Sequence, residues 1–303
     1  MPSTQQYRRR IKSVKNTRQI TKAMEMVASV KMQKAVRAIL AERAYVQNTW
    51  HLLVDLGANE TESKNPLLQI RPVEKILILV ISSDRGLSGS YNSDIFRKFR
   101  SYVDDNPDKI KFENLDLVVI GKKGLDFLNK YGVGKIIASF ESQEKDVAYD
   151  KTTAASKLLI DGYRDKKYDK VLIIYSHFVS SLTQKPVIKQ LLPIEKDHLD
   201  LPEIWEVGKA DDNLATDSKE FLYEPGKDKV LEQLLPQFLR TQVYGAVLEA
   251  NASEQSAQMV AMKNATDNAG ELIDELQLTY NSIRQDSITR EIAEISAGAD
   301  ALS

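Results

Sequence analysis

The sequence contains no cysteine, and this absence excludes several kinds of chemistry. Among the 303 residues, disulfides and thiolate nucleophiles have no source, and zinc loses its commonest structural ligand. The three histidines, His51, His177 and His198, are scattered along the chain and show no H-E-x-x-H spacing. The sequence therefore predicts neither a metal centre nor thiol catalysis.

Long apolar runs and a strong excess of one charge are also missing. The longest uninterrupted apolar run, Ile76 to Ile81, is far shorter than the roughly 20 residues that a membrane-spanning helix needs. The N-terminal region lacks the apolar segment of a secretory signal. The formal net charge is −1, so the overall balance does not indicate nucleic-acid binding. We therefore expect a protein that neither inserts into a membrane nor binds nucleic acid.

Proline and glycine are scarce at both ends of the chain. No proline lies between Pro2 and Pro66, none follows Pro236, and the first glycine is Gly57. Apolar residues in both segments recur at mixed three- and four-residue steps, which is typical of amphipathic helices. At about 1.5 Å per residue, the first helix would be roughly 80 Å long and the last one roughly 100 Å. Helices of this length cannot be buried inside a compact domain, so each needs a long partner.

The charges of the two ends favour their pairing with each other. Residues 1–40 hold ten basic side chains against one acid, whereas residues 249–303 hold ten acids against three bases. A basic and an acidic helix attract each other. We therefore predict a long antiparallel coiled coil of the N- and C-terminal helices. Two unrelated amphipathic helices on a globular core are the alternative.

Between these helices, four apolar runs predict buried strands, at residues 75–82, 115–120, 135–140 and 170–178. Helical patterns separate the runs, which is typical of a Rossmann-like α/β domain with a mainly parallel sheet. A fifth run, Pro186 to Ile194, begins with proline and is expected to be antiparallel or at an edge.

The chain thus has three predicted parts, namely an N-terminal coiled-coil helix, an α/β domain and a C-terminal coiled-coil helix, at residues 1–58, 59–227 and 228–303. Pro236 lacks an N–H and is expected to kink or restart the last helix. After the first strand, Asn92 or Ser93 is expected to cap a helix.

Two glycine turns follow predicted strands, where phosphate-binding loops often lie. Neither Gly86–Gly89 nor Gly121–Gly124 has the G-x-G-x-x-G or Walker spacing, so we interpret both as tight turns. Ser83, Asp84 and Ser88 lack the G-x-S-x-G context of a nucleophile elbow. Asp84 is expected to pair with its neighbour or with a nearby loop.

Four segments of the chain carry long sequence motifs. They are residues 15–28 (KNTRQITKAMEMVA), 83–89 (SDRGLSG), 252–269 (ASEQSAQMVAMKNATDNA) and 287–292 (SITREI). The first two are similar to the N-terminal signature and the glycine loop of the gamma subunits of F-type ATP synthases, and the last two resemble the C-terminal segments of that family. Ser88 stands where relatives often carry cysteine. The segments follow the family's order over the whole chain.

The resemblance implies a mechanical role. Gamma subunits form the central rotor shaft, which couples proton flow through the membrane ring to ATP synthesis or hydrolysis at the catalytic head. The shaft is not catalytic itself and needs no cofactor. The implied partners are the alpha and beta subunits of the head, the epsilon subunit and the membrane ring of c subunits. The implied location is peripheral, on the cytoplasmic side of a bacterial inner membrane.

The resemblance also assigns contact positions. Met24, Gln285 and Thr289 match family positions that contact the catalytic head. Gln258 matches a further position on that side, where relatives often carry arginine, so an ion pair there would become a neutral hydrogen bond. A second group matches the segment that meets the membrane ring and the epsilon subunit, namely Phe221, Tyr223 and Glu224.

Two other functions stay open at this point. One is an α/β nucleotide-binding or hydrolytic enzyme with coiled-coil arms, which tight ATP binding by the isolated chain would favour. The other is a passive coiled-coil scaffold, in which exchanging Gln285 and Thr289 would leave coupled ATP synthesis unchanged.

Overall fold

The computed structural model describes residues 4–56, 65–107, 112–142, 147, 149–194, 223–224 and 226–300. Five α-helices are described, namely α1 Thr4–Asp55, α2 Tyr91–Asp104, α3 Lys122–Tyr131, α4 Tyr149–Arg164 and α5 Lys227–Asp300. Five strands are described, namely β1 Ile76–Ile81, β2 Leu115–Ile120, β3 Lys135–Phe140, β4 Lys170–Phe178 and β5 Gln184–Leu192. The predicted fold class, a mixed α/β chain with a long helix at each end, is confirmed.

The strands form one sheet in the order β3-β2-β1-β4-β5. β1 pairs in parallel with β2 and with β4, and β2 pairs in parallel with β3. β5 is antiparallel to β4 and lies at an edge, as expected for a strand that carries Pro186. The order reverses between β1 and β4, because the chain first extends the sheet to one side of β1 and then to the other.

Side chains of the central strands alternate between two buried clusters. In β1, for example, Leu77, Leu79 and Ile81 pack in the cluster that includes residues of α1, α4 and α5. Ile78 and Val80 pack in the opposite cluster, with residues of α2 and α3. Both faces of the sheet are therefore covered, which explains why β1 is a continuous apolar run.

The chain divides into two compact units. One, the helix-pair unit, consists of Met1–Ala28 and Gln258–Ser303, and the other, the α/β unit, consists of Ser29–Ala257. Both clusters of the sheet belong to the α/β unit.

Helix α5 contains 74 residues and runs without a break through Pro236. The predicted restart at this proline is therefore wrong. A proline inside a helix costs about 3 kcal/mol. The neighbouring side chains of Leu235, Phe238 and Leu239 are almost fully buried, at 0%, 3% and 1% exposed. Burial of three large apolar side chains outweighs that cost.

The cap of α2 also differs from the prediction. The N-cap residue is Ser90 rather than Asn92 or Ser93. Asn92 lies inside the helix, and its side chain bonds to the loop after β1 instead of capping the helix. Its Oδ1 accepts a hydrogen bond from the backbone N–H of Ser83 at 3.1 Å.

Candidate functional site

The helix-pair unit has a narrow buried seam. Buried residues recur on both of its helices, namely Thr21, Ala28, Met262, Thr266, Ala269 and Ile273. The hydroxyls of Thr21 and Thr266 lie 2.8 Å apart. A Cβ added to Gly270 would lie 3.6 Å from the guanidinium of Arg18. Position 18 thus lies beside position 270 and position 21 beside 266, so the two helices are antiparallel here, as predicted.

All four residues assigned to the catalytic head belong to this unit. Met24 and Gln258 are half-buried, whereas Gln285 and Thr289 are exposed. Gln285 and Thr289 are neighbours, because residues four apart lie one turn apart on a helix. Gln258 precedes Gln285 by 27 positions, or roughly 40 Å along α5 at about 1.5 Å per residue. These residues therefore do not converge on one pocket but mark an extended surface.

That surface also carries exposed apolar side chains. On α5, Ile288, Ile292 and Ile295 are 48%, 61% and 68% exposed and recur at helical spacing. Gln285 precedes Ile288 by three positions and Thr289 precedes Ile292 by three, so each polar residue borders the apolar stripe. Contiguous exposed apolar stripes of this kind mark interaction surfaces.

The glycine loop after β1 is held by hydrogen bonds within the α/β unit. The Ser83 hydroxyl donates to the backbone oxygen of Arg85 at 2.6 Å. Asp84 Oδ1 accepts from the backbone N–H of Lys122 at 2.9 Å, which confirms that Asp84 pairs with a neighbouring loop. Leu87 has a φ of 68° and is 63% exposed.

A cavity of about 210 Å³ lies beside this loop, between the start of α2 and the β4–β5 hairpin. Open α/β sheets bind their ligands outside the carboxyl ends of the strands, where the strand order reverses, and no residue of β1 lines this cavity. Its lining is mostly polar and includes Ser90, Asp94, Ser176 and Gln184. Ligand pockets measure about 300–1,000 Å³, so the cavity is small for a nucleotide, and the carboxyl of Asp94 would repel phosphate.

The residues assigned to the membrane ring lie partly outside the described residues. Phe221 is outside them, whereas Tyr223 is half-buried and Glu224 exposed, and both belong to the α/β unit. The ammonium group of Lys227 lies 5.9 Å from the ring centroid of Tyr223, within the range of a cation–π contact.

Of the three histidines, His177 is buried beside the carboxylate of Glu249. Its Nδ1 lies 2.6 Å from Oε2 of Glu249, and the two side chains are 6% and 1% exposed. The sequence does not predict this pair, although the apolar residues Leu248 and Ala250 on either side of Glu249 indicate that this part of α5 is buried. Across the part of the chain that the structure describes, no group of acidic and histidine side chains could hold a metal ion.

A half-buried acid, Glu42, lies on α1. Oε2 of Glu42 is buried without a hydrogen-bond partner. Burial raises the pKa of Glu42 from 4.5 to about 7. Such a group changes its charge near neutral pH.

Within the described ranges, no helix is long and apolar enough to cross a membrane.

Comparison with known proteins places these features in a family. The family model described as ATP synthase matches residues 3–302. The ATP synthase gamma chain of Roseiflexus sp. (strain RS-1) is 40% identical over 305 residues, which cover 100% of this chain and 99% of the relative. The ATP synthase gamma chain of Herpetosiphon aurantiacus is 40% identical over 310 residues, which cover 100% of both chains.

Solved structures share the architecture. A chain of the central stalk and c-ring of the Tetrahymena thermophila mitochondrial ATP synthase has a TM-score of 0.57 and 25% identity, and the match covers 81% of this chain and 99% of that chain. A chain of the Euglena gracilis mitochondrial ATP synthase has a TM-score of 0.65 and 20% identity, with 99% and 94% covered, and shows the fold alone.

An α/β unit combined with long terminal helices is thus the fold class of ATP synthase rotor and stalk chains. The chain belongs to the family of ATP synthase gamma chains.

Proposed function

We propose that this chain is the central rotor shaft of an F-type ATP synthase, where it couples proton flow through the membrane ring to ATP synthesis or hydrolysis at the catalytic head. The observation that carries this proposal is the match to gamma chains over 100% of the sequence at 40% identity. The shaft itself performs no catalysis. It is a peripheral subunit on the cytoplasmic side of the bacterial inner membrane.

The exposure of the helix-pair unit supports this role. Gln285, Thr289 and the apolar stripe Ile288, Ile292 and Ile295 are exposed in the isolated chain, so they are available to a surrounding ring of subunits. We assign Met24, Gln258, Gln285 and Thr289 to contacts with the alpha and beta subunits. Contacts through a few polar side chains break and reform easily as a shaft turns.

We propose an α/β domain at residues 59–227, between coiled-coil helices at 1–58 and 228–303. The contacts with the membrane ring are proposed to lie in this domain. We assign Phe221, Tyr223 and Glu224 to the membrane ring of c subunits and to the epsilon subunit. The half-buried ring of Tyr223 next to the exposed carboxyl of Glu224 supports a mixed apolar and polar contact.

Because the chain has no cysteine, single-cysteine crosslinking tests the head contacts directly. Met24→Cys and Thr289→Cys are introduced singly, the complete complex is assembled, and a bifunctional reagent is added. Each variant is expected to crosslink to beta or alpha subunits, and crosslinking is expected to stop ATP hydrolysis because a tied shaft cannot turn. Crosslinking that leaves hydrolysis at full rate would contradict the proposal.

Coupled ATP synthesis distinguishes a rotor from a passive scaffold. Gln285→Ala combined with Thr289→Val is expected to lower proton-driven ATP synthesis strongly, because two contacts with the head are lost. Ser287→Ala combined with Glu291→Gln is the matched control, since this exposed pair also lies one turn apart but is rotated by about 200° around α5. Equal synthesis by both variants would favour the scaffold.

A further inference from the structure

Several polar side chains of α5 are buried inside the α/β unit, and three of them lie on the face that meets β4 and the turn after it. Glu249, Ser253 and Ser256 are 1%, 0% and 0% exposed. Their spacing of four and three residues places them on one face of the helix. Residues of these types are mostly exposed in folded proteins, so their burial here calls for partners.

Glu249 meets two residues of β4. His177 Nδ1 lies 2.6 Å from its Oε2, and both side chains are buried. Tyr175 lies two positions before His177, on the same face of the strand, and close enough to Glu249 for the carboxylate to raise the pKa of its phenol. Burial, and secondly the charge of Glu249, raises the pKa of Tyr175, so its phenol stays a hydrogen-bond donor. Oε1 of Glu249 is buried without a hydrogen-bond partner, so the carboxylate depends on the hydrogen bond between Oε2 and His177. Removing one partner of a buried pair is strongly unfavourable.

The two serines of α5 form hydrogen bonds with β4, with the turn that follows it and with the start of β5. The Ser253 hydroxyl donates to the backbone oxygen of Ser176 at 2.9 Å. The Ser256 hydroxyl donates to the backbone oxygen of Ser181 at 2.6 Å and accepts from Nε2 of Gln184 at 3.1 Å. We call Glu249, Ser253 and Ser256, together with these partners, the polar clamp.

The polar clamp restrains the helix in a way that an apolar contact does not. Apolar burial is non-directional, so an apolar face resists separation but resists rotation and sliding less. Hydrogen bonds depend on angle and distance. A rotation of α5 by one residue, about 100°, would leave the three buried polar side chains without partners, and an unpaired buried polar group is strongly unfavourable.

We propose that the polar clamp fixes α5 against rotation on the sheet, so that a turning force on the α/β unit reaches the C-terminal helix without slippage. Glu249 and His177 are its principal positioning residues. This inference rests on the rotor function proposed above. The hydrogen bonds of the polar clamp are the contacts through which torque would pass from the sheet to α5.

The test compares ATP hydrolysis with ATP-driven proton pumping in the assembled complex. His177→Phe keeps a ring of similar size but removes the donor to Glu249. His177→Asn places an amide N–H close to the position of Nδ1 and therefore keeps a donor. We expect His177→Phe to lower the number of protons pumped per ATP hydrolysed several-fold and His177→Asn to restore most of that ratio.

A matched control separates slippage from loss of stability. Val243→Ala creates a cavity at a fully buried position of the same helix and removes no clamp contact. We expect it to lower the thermal stability while leaving the ratio unchanged. If His177→Phe does not assemble, Ser253→Ala with Ser256→Ala removes three clamp hydrogen bonds with little change in volume and is expected to lower the ratio too.

The outcomes distinguish the two proposals. A complex with the unsubstituted chain that hydrolyses ATP without pumping would overturn the rotor function. A pumping complex whose ratio stays the same in His177→Phe, or in the double serine variant, would overturn the clamp alone. An equal loss of ratio in Val243→Ala would also overturn the clamp, because the effect would then follow stability rather than the polar contacts.

Discussion

At the scale of single residues, the turn after β2 depends on Gly121. Its φ is +99°, and a Cβ there would lie 2.2 Å from the backbone oxygen of Ser82. The same turn is held by the Ser82 hydroxyl, which accepts from the backbone N–H of Gly124 at 2.8 Å. The backbone after β1 and the backbone after β2 therefore lie too close together to admit a side chain at position 121.

We predict that Gly121→Ala destabilises the chain by about 4 kcal/mol or more, because both the backbone conformation and the clash oppose it. Gly132→Ala is the control. Gly132 has a φ of +70° but no atom within 4 Å of an added Cβ, so only the conformational cost of about 1–2 kcal/mol is expected. Urea unfolding of both variants measures the difference, and similar losses would show that the clash is relieved.

Glu42 predicts a pH dependence of stability. Its folded pKa of about 7 lies above its ordinary value of 4.5, so the native state binds more protons than the unfolded state between these values. The free energy of unfolding therefore contains a contribution that is full below about pH 4.5 and is lost as the pH rises through 7.

Glu42→Gln should remove this slope and stabilise the chain at pH 8 by about 1–2 kcal/mol, once solvent screening of a partly exposed group is allowed for. Urea unfolding at pH 5 and pH 8 measures the effect. The exposed Glu232, replaced by glutamine, is the control and should keep the slope of the parent chain. A parent-like slope in Glu42→Gln would contradict the assignment.

At the scale of elements, the paired threonines Thr21 and Thr266 link α1 to α5 in the helix-pair unit. Each hydroxyl also lies near a carbonyl of its own helix, at 3.1 Å from Arg18 O and 2.8 Å from Met262 O. Replacing either threonine by valine should therefore remove the bridge without leaving a wholly unpaired hydroxyl.

A double-mutant cycle of Thr21→Val and Thr266→Val should give a coupling energy of about 0.5–1.5 kcal/mol. Native-state hydrogen exchange of residues 18–28 measures it, because exchange reports local opening. The exposed Thr17, whose hydroxyl contacts only the carbonyl of Ser13 at 3.2 Å, is the control, and Thr17→Val should leave exchange unchanged. Strictly additive effects would show that the bridge contributes nothing.

The tips of both long helices should fray in the isolated chain. In the described part of the helix-pair unit, no residue of 4–20 is buried, and none of 274–297. Helices without tertiary burial are marginal in water. We expect amides of residues 4–20 and 280–297 to exchange almost as fast as those of an unfolded peptide, whereas residues 243–257 stay protected. Slow exchange at both tips would contradict this, and assembly into the complex should protect them.

At the scale of the whole molecule, the chain should not bind ATP with useful affinity on its own. The cavity between α2 and the β4–β5 hairpin is about 210 Å³ and is lined in part by Asp94, and the adjacent glycine loop lacks the phosphate-binding spacing. Titration calorimetry with ATP up to millimolar concentration should detect no stoichiometric binding. Tight binding of one ATP per chain would instead support the enzymatic alternative. The fully assembled complex, with its nucleotide-binding head, is the positive control.

The strands and the long helices were predictable because their signals are local. β3, for example, spans Lys135–Phe140 as predicted, since an apolar run that follows a glycine turn needs no distant information. The continuity of α5 through Pro236 was not predictable, because the burial of Leu235 and Phe238 comes from other elements. The α2 cap was missed for the same reason, since Asn92 bonds to Ser83 nine positions away.

The amino-acid sequence predicts two proline-poor terminal helices and a series of buried strands through its periodicities, and its motifs indicate the gamma-chain family. It does not predict which polar residues become buried partners, because these pairs form only in the folded chain. Glu249 and His177 are 72 positions apart, and no local pattern connects them. Apolar periodicity follows from the backbone repeat, whereas the pairing of buried polar groups depends on which elements the folded chain brings together.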